Sequence, residues 1–238
     1  MASRWLWPGT LVLLALLGGS GKTEAATIRD PWDWVETLQK QARTQRCTLS
    51  GFLRSDPVPA PNGDWRVYSR LDMVASPNGQ ADRLTSVLFA ENATTQELRV
   101  LYQSVAAVYA QEDPLDFIMV LPLAWQNNTL LAREFDGLFA SDIAWDRALV
   151  WSPQTPDSSI QIWQPPASGY SEILGWDPLS EGRVLFRVGE LGELPRLVSV
   201  GSDQTAQPLA EPLDRFPPQG IDWQSALPLS TGSLCRQE

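Results

Sequence analysis

From Thr48 onward the apolar residues of this chain return at every second position rather than every third or fourth, which commits most of it to strands. "WRVYSRLDMVA" (65–75) shows the pattern: Val67, Leu71 and Met73 fall on one side, and Arg66, Tyr68, Arg70 and Asp72 on the other. The Asn78-Gly79 step in "SPNGQA" supplies turn chemistry, and "DRLTSVLFA" returns. "ENATTQ" is a second turn, followed by "ELRVLYQS" with Leu98, Val100 and Tyr102 on one face. This predicts a three-stranded meander over 64–104. "SVAAVYAQE" (104–112) reads as a short helix or turn. The nearly continuous apolar run "DFIMVLPLAW" reads as a strand buried on both faces. "TLLAREF", "DIAWDRALVW", "SIQIWQP", "YSEILGW", "GRVLFRV" and "PRLVSVGS" continue the series, separated by Asp, Gly, Pro and Ser. About ten short strands face a single firm helix, so the predicted class is mainly β, built from antiparallel meanders.

The helix lies over 31–45. Asp30 before Pro31 suits a helix start, because the carboxylate caps free N–H groups and proline fits the first helical position. Lys40, Arg43 and Arg46 sit toward the end where the helix dipole favours cations. The expected organisation is a leader (1–25), an N-terminal helical segment (26–47), one β-rich domain (48–210) and a Pro-rich extended tail (211–238).

The leader is inferred from Arg4, the apolar stretch "LWPGTLVLLALLGG" and the polar "SGKTEAA" after it, with Thr23 and Ala25 as small residues before a cut. Its apolar part is shorter than the roughly 20 residues of a spanning helix. Export to the periplasm or an equivalent lumen is the expectation. There the pair Cys47 and Cys235 would form a disulfide closing nearly the whole mature chain.

A net charge of −10 with no basic patch argues against nucleic acid as a partner. Histidine is absent altogether, which excludes His-dependent triads and His-ligated zinc. Lys40 is the one lysine after the leader. No G-x-S-x-G, phosphate-binding loop or dinucleotide fingerprint occurs, so no catalytic residue, cofactor or metal site is assigned. Asn92-Ala93-Thr94 and Asn127-Asn128-Thr129 match the glycosylation sequon.

The chain holds 11 tryptophans, and three lead strand-like segments: "LAWQNNTLL", "IAWDRALVW" and "LGWDPLSEGRVLF". The stretch "GWDPLSEGRVLFRVGELGELPRLVSVGSDQTAQPL" (175–209) resembles a blade of the TolB/WD40-like propellers. Residues 124–165 can be laid on the same plan and 64–104 more loosely. The resemblance implies a small or degenerate β-propeller; the alternation alone leaves a β-sandwich equally open. The chain as a whole also looks like exported proteins of photosynthetic bacteria.

Trp125, Trp145 and Trp176 are expected mainly as core residues, with sugar stacking as their functional alternative. Trp32, Trp34, Trp65 and Trp223 are expected to be partly exposed. Glu134, Asp136, Asp142 and Asp146 cluster in sequence. A carboxylate pair hydrolyses glycosides without histidine, although acids beside turns more commonly face solvent or cap. The sequence therefore points to an exported non-enzymatic module that binds or scaffolds another protein. Carbohydrate binding or hydrolysis stands as the alternative.

Overall fold

The computed structural model describes residues 31–104, 107–108, 116–138, 144–155 and 159–210. The leader, Asp142, Trp223, Cys235 and the Pro-rich tail lie outside the described residues, as does the side chain of Trp32.

Helix α1 (Pro31–Gln45) opens with the predicted proline and carries Asp33 in its first turn and Arg43 in its last. Arg46 follows in the left-handed region (φ 53). The Cys47 N–H then reaches the Ala42 carbonyl at 3.2 Å, a bond that satisfies a helix-end carbonyl. The buried stripe is Trp34, Val35, Leu38 and Ala42, while Lys40 is exposed.

Among the described residues fourteen strands follow: β1 (Leu49–Arg54), β2 (Val58–Pro59), β3 (Trp65–Ala75), β4 (Arg83–Asn92), β5 (Leu98–Gln103), β6 (Ala107–Val108), β7 (Asp116–Gln126), β8 (Thr129–Leu138), β9 (Ala144–Trp151), β10 (Gln161–Trp163), β11 (Tyr170–Trp176), β12 (Val184–Gly189), β13 (Arg196–Val200) and β14 (Ala206–Leu209). They form three antiparallel sheets. The first runs β1-β3-β4-β5, with β2 added to β3 and β6 to β4; the middle runs β10-β9-β8-β7, and the third β11-β12-β13-β14. Each sheet is thus built on a four-stranded meander, the first with two short strands added; the chain is mainly β with one helix, as the alternation predicts, and its three sheets are consistent with a sandwich-like or propeller-like arrangement.

Two expectations in this region need correction. Ala107–Val108 does not form a helix or turn; it pairs antiparallel with Leu84 and Arg83, which supplies its backbone partners from a sheet already in place. Leu98, Val100 and Tyr102 do not share a face. A register shift at Leu88/Phe89 puts Val100 opposite Phe89 and Tyr102 opposite Leu88, so Leu98 and Val100 turn outward while Tyr102 packs inward.

The middle sheet is covered on both faces. Val120, Leu130, Ala132, Leu149 and Trp151 join Trp65, Val67, Leu88 and Ala90 of the first sheet. The alternate residues Leu131, Ala148 and Val150 join Ile173, Val184, Phe186, Val188, Val198 and Val200 of the third. A third cluster sets the α1 stripe against Leu53, Leu71 and Met73 of the first sheet and Met119 and Leu121 of β7. β7 is therefore buried on both sides, as its apolar run requires.

Side chains also couple the sheets to one another. Ser86, on the third strand of the first meander (β4), accepts the Val120 N–H of β7 at 2.9 Å. Asp146, on the third strand of the second meander (β9), accepts the Ile173 N–H of β11 at 2.6 Å. The same bond recurs one sheet later: a polar third-strand residue holds the backbone of the next sheet's first strand.

Candidate functional site

The sequence-adjacent acids separate once the strands pair. In the β8–β9 register Glu134 stands opposite Arg147, and Phe135 opposite Asp146. Successive residues of a strand point to opposite faces, so Glu134 looks toward the first sheet and Asp146 toward the third. Both are buried at 1% exposure, which corrects the expectation of solvated or capping acids. Each has its own arginine. Arg147 Nε lies 2.9 Å from Glu134 Oε2, and Arg133 Nε lies 2.8 Å from Asp146 Oδ1. The Tyr102 hydroxyl donates to Glu134 Oε1 at 2.9 Å.

Burial is the largest influence on the titration of these groups. It raises the Asp146 carboxyl to about 6 against the opposing pull of Arg133 and the Ile173 N–H. It raises Glu134 as well, opposed by Arg147 and the Tyr102 hydroxyl. Burial, with the nearby Glu134 charge, pushes the Tyr102 phenol up to about 12, which keeps it a donor. An acid–base pair must flank one bond. Glu134 and Asp146 lie on opposite faces of a sheet covered on both sides, and no shared substrate reaches the two. Asp136, opposite Trp145 in the register, remains half-buried near that end of the sheet.

The tryptophans divide differently from expectation. Trp34 and Trp65 are buried at 1% and 8%, because α1 docks on the first sheet and the middle sheet covers β3. Trp125 and Trp176 are half-buried at the seams between sheets and occupy matching places at the ends of first strands. Trp125 Nε1 donates to the Val58 carbonyl of the first sheet at 3.2 Å, and Trp176 Nε1 to the Ala124 carbonyl of the middle sheet at 3.4 Å. Each meets another tryptophan edge to face: Trp151 at 6.0 Å from Trp125, and Trp163 at 6.3 Å from Trp176. Trp145 belongs elsewhere, near the start of the third strand β9. It is 38% exposed, so it departs from the core reading, and its Nε1 donates to the Ser168 carbonyl at 3.2 Å.

Two concavities accompany these residues. Trp145, Asp136, Arg147, Ser171, the buried Asp146 and the 164–168 loop bound a hollow of about 370 Å³, so two of the candidate acids, Asp136 and Asp146, do border one space. A cleft of about 410 Å³ opens at the seam of the middle and third sheets, beside Trp163, Trp176, Gln126, Gln161 and Glu181. Of these the sequence alone singles out only Trp176. The signal that identifies the others is spatial: the β7–β8 and β11–β12 turns meet here, with the Gly182 N–H bonded to Gln126 Oε1 at 3.1 Å.

The outer face of the first sheet is of another kind. Arg54 lies 3.7 Å over the Tyr68 ring, which stacks on Phe89 at 5.4 Å, and Arg70 lies 4.6 Å over Phe52. On the adjoining edge strand β5, Leu98 and Val100 are 55% and 61% exposed. Among the described residues no group of three or more acidic or sulfur ligands is placed to hold a metal ion, and no helix is long and apolar enough to cross a membrane. Comparison with protein-family models, curated proteins and solved structures finds no match.

Proposed function

We propose that this chain is an exported, non-catalytic module that binds a protein partner through the outer face of its first sheet. The observation that carries the reading is the open apolar pair Leu98 and Val100 on the edge strand β5, beside Arg54 and Phe89, which are half-buried against the buried Tyr68 ring. Arginine and aromatic residues dominate the energetics of protein interfaces, and an edge strand with exposed apolar side chains offers both backbone groups and anchors to a partner. The buried carboxylates support the same reading, since each is engaged by its own arginine between sheets.

Export rests on the leader-like N-terminus, and with it goes a disulfide between Cys47 and Cys235. The burial of Cys47 among α1 and first-sheet residues supports a pairing that ties the far end of the chain to this corner. The sheet-to-sheet bonds from Ser86 and Asp146 support reading the meanders as propeller-like blades.

Affinity capture from the native compartment tests the function, with the wild type compared against a Leu98→Lys/Val100→Lys double variant. Exposed substitutions of this kind change stability by about 0.5 kcal/mol or less. A partner retained by the wild type and lost by the folded variant is expected. Equal recovery by both chains would contradict the proposal.

A further inference from the structure

We propose that the cleft between the middle and third sheets is a binding site for a neutral saccharide. The site is separate from the first-sheet face, so it neither needs nor excludes the protein partner. Twelve of the described residues line it, and Glu181 is the one ionised side chain among them. Among the described residues no cation lines the cleft, so a phosphate, nucleotide or acidic glycan finds no counter-charge from them. The remainder are tryptophans, carboxamides, serine and threonine hydroxyls, one valine and one glycine.

The polar groups are fixed in a way that suits a ligand rich in hydroxyls. Gln126 Oε1 is occupied by the Gly182 N–H at 3.1 Å, leaving its Nε2 group as a donor. Gln161 Oε1 is occupied by Trp163 Nε1 at 3.3 Å, which again leaves Nε2. Asn127 Nδ2 donates to Glu181 Oε1, leaving the Asn127 carbonyl oxygen as an acceptor. Each carboxamide is thus held at one atom and presents the other, placing donors and an acceptor around one space. A sugar hydroxyl both gives and receives a hydrogen bond, so this mixture matches it.

The apolar wall matches too. The indole N–H groups of Trp163 and Trp176 are spent on Gln161 and on the Ala124 carbonyl, so the half-buried Trp176 ring offers carbon and π surface, with the buried Trp163 ring packed edge to face against it. Such surface meets the C–H face of a pyranose. The volume of about 410 Å³ lies toward the low end of small-molecule sites, about 300–1,000 Å³, so the ligand is a short saccharide or the end of a longer one.

The test titrates the full chain by calorimetry with neutral mono- to tetrasaccharides of glucose, galactose, mannose and N-acetylglucosamine, while ¹⁵N spectra follow the tryptophan indoles. At least one sugar is expected to saturate the protein and to shift the Trp163 and Trp176 indole signals, leaving those of Trp34 and Trp65 in place. Gln126→Ala and Gln161→Ala should each weaken binding about tenfold, the loss of one to two hydrogen bonds. Leu98→Lys should leave it unchanged. Absence of binding by every sugar at about 10 mM would overturn the proposal. So would binding that survives unaltered in the Gln126→Ala/Gln161→Ala double variant, or shifts confined to Trp145.

Discussion

Asp146 sits between two sheets with Arg133 on one carboxylate oxygen and the Ile173 N–H on the other. Its folded value of about 6 lies above the ordinary 3.8, so the native state binds more protons than the unfolded chain between those values. The contribution of this group to stability is therefore full below pH 4 and falls as pH rises toward 6. Denaturant unfolding at intervals from pH 4 to 7 should show the wild type losing stability relative to Asp146→Asn as pH rises through that window, on the order of 1 kcal/mol per pH unit. Parallel profiles for the two proteins would refute the assignment. The charge pattern that makes this site was partly legible. Arg133-Glu134 and Asp146-Arg147 stand in two consecutive strand-like segments with opposite signs in both orders. Their burial was not legible, because it depends on two other sheets covering the middle one, and no local residue records that.

At the scale of elements, strand periodicity was the most readable feature, since alternation is imposed by the pleat itself. The helix boundaries were readable for a similar local reason, Pro31 at one end and the basic last turn at the other. The places of the three tryptophans show only in the register: Trp125 and Trp176 lie at the ends of the first strands of consecutive sheets, whereas Trp145 lies at the start of a third strand. The β5 bulge was hidden as well, because a single-residue shift leaves no mark in composition. The seams between sheets are where element packing should be most sensitive. Trp151 is fully buried, with Trp65 at 5.4 Å and Trp125 at 6.0 Å against its ring. Trp151→Ala should cost about 3–5 kcal/mol in chemical denaturation, since the space between two sheets cannot collapse onto alanine. A loss well under 1 kcal/mol would mean that the first and middle sheets are not packed as described.

Across the described residues, the first and third sheets cover the two faces of the middle one, and polar bonds from Ser86 and Asp146 carry the first strands of the middle and third sheets on the sheet before each. Such a stack leaves its outer surfaces for recognition. The proposed Cys47–Cys235 bridge would close the chain at the first-sheet corner, worth up to about 5 kcal/mol in the chain-entropy account. Non-reducing peptide mapping of the mature protein should recover that linked pair, and thiol labelling of both cysteines in the folded protein would disprove it. The most direct measurement of the proposed function places a photo-crosslinking residue at Val100, and in a second protein at Leu194, which is 94% exposed in the β12–β13 turn of the third sheet. Irradiation in the native compartment should yield a discrete protein adduct from position 100 and none from position 194. An adduct at 194 alone, or none at either position, would contradict recognition through the first sheet.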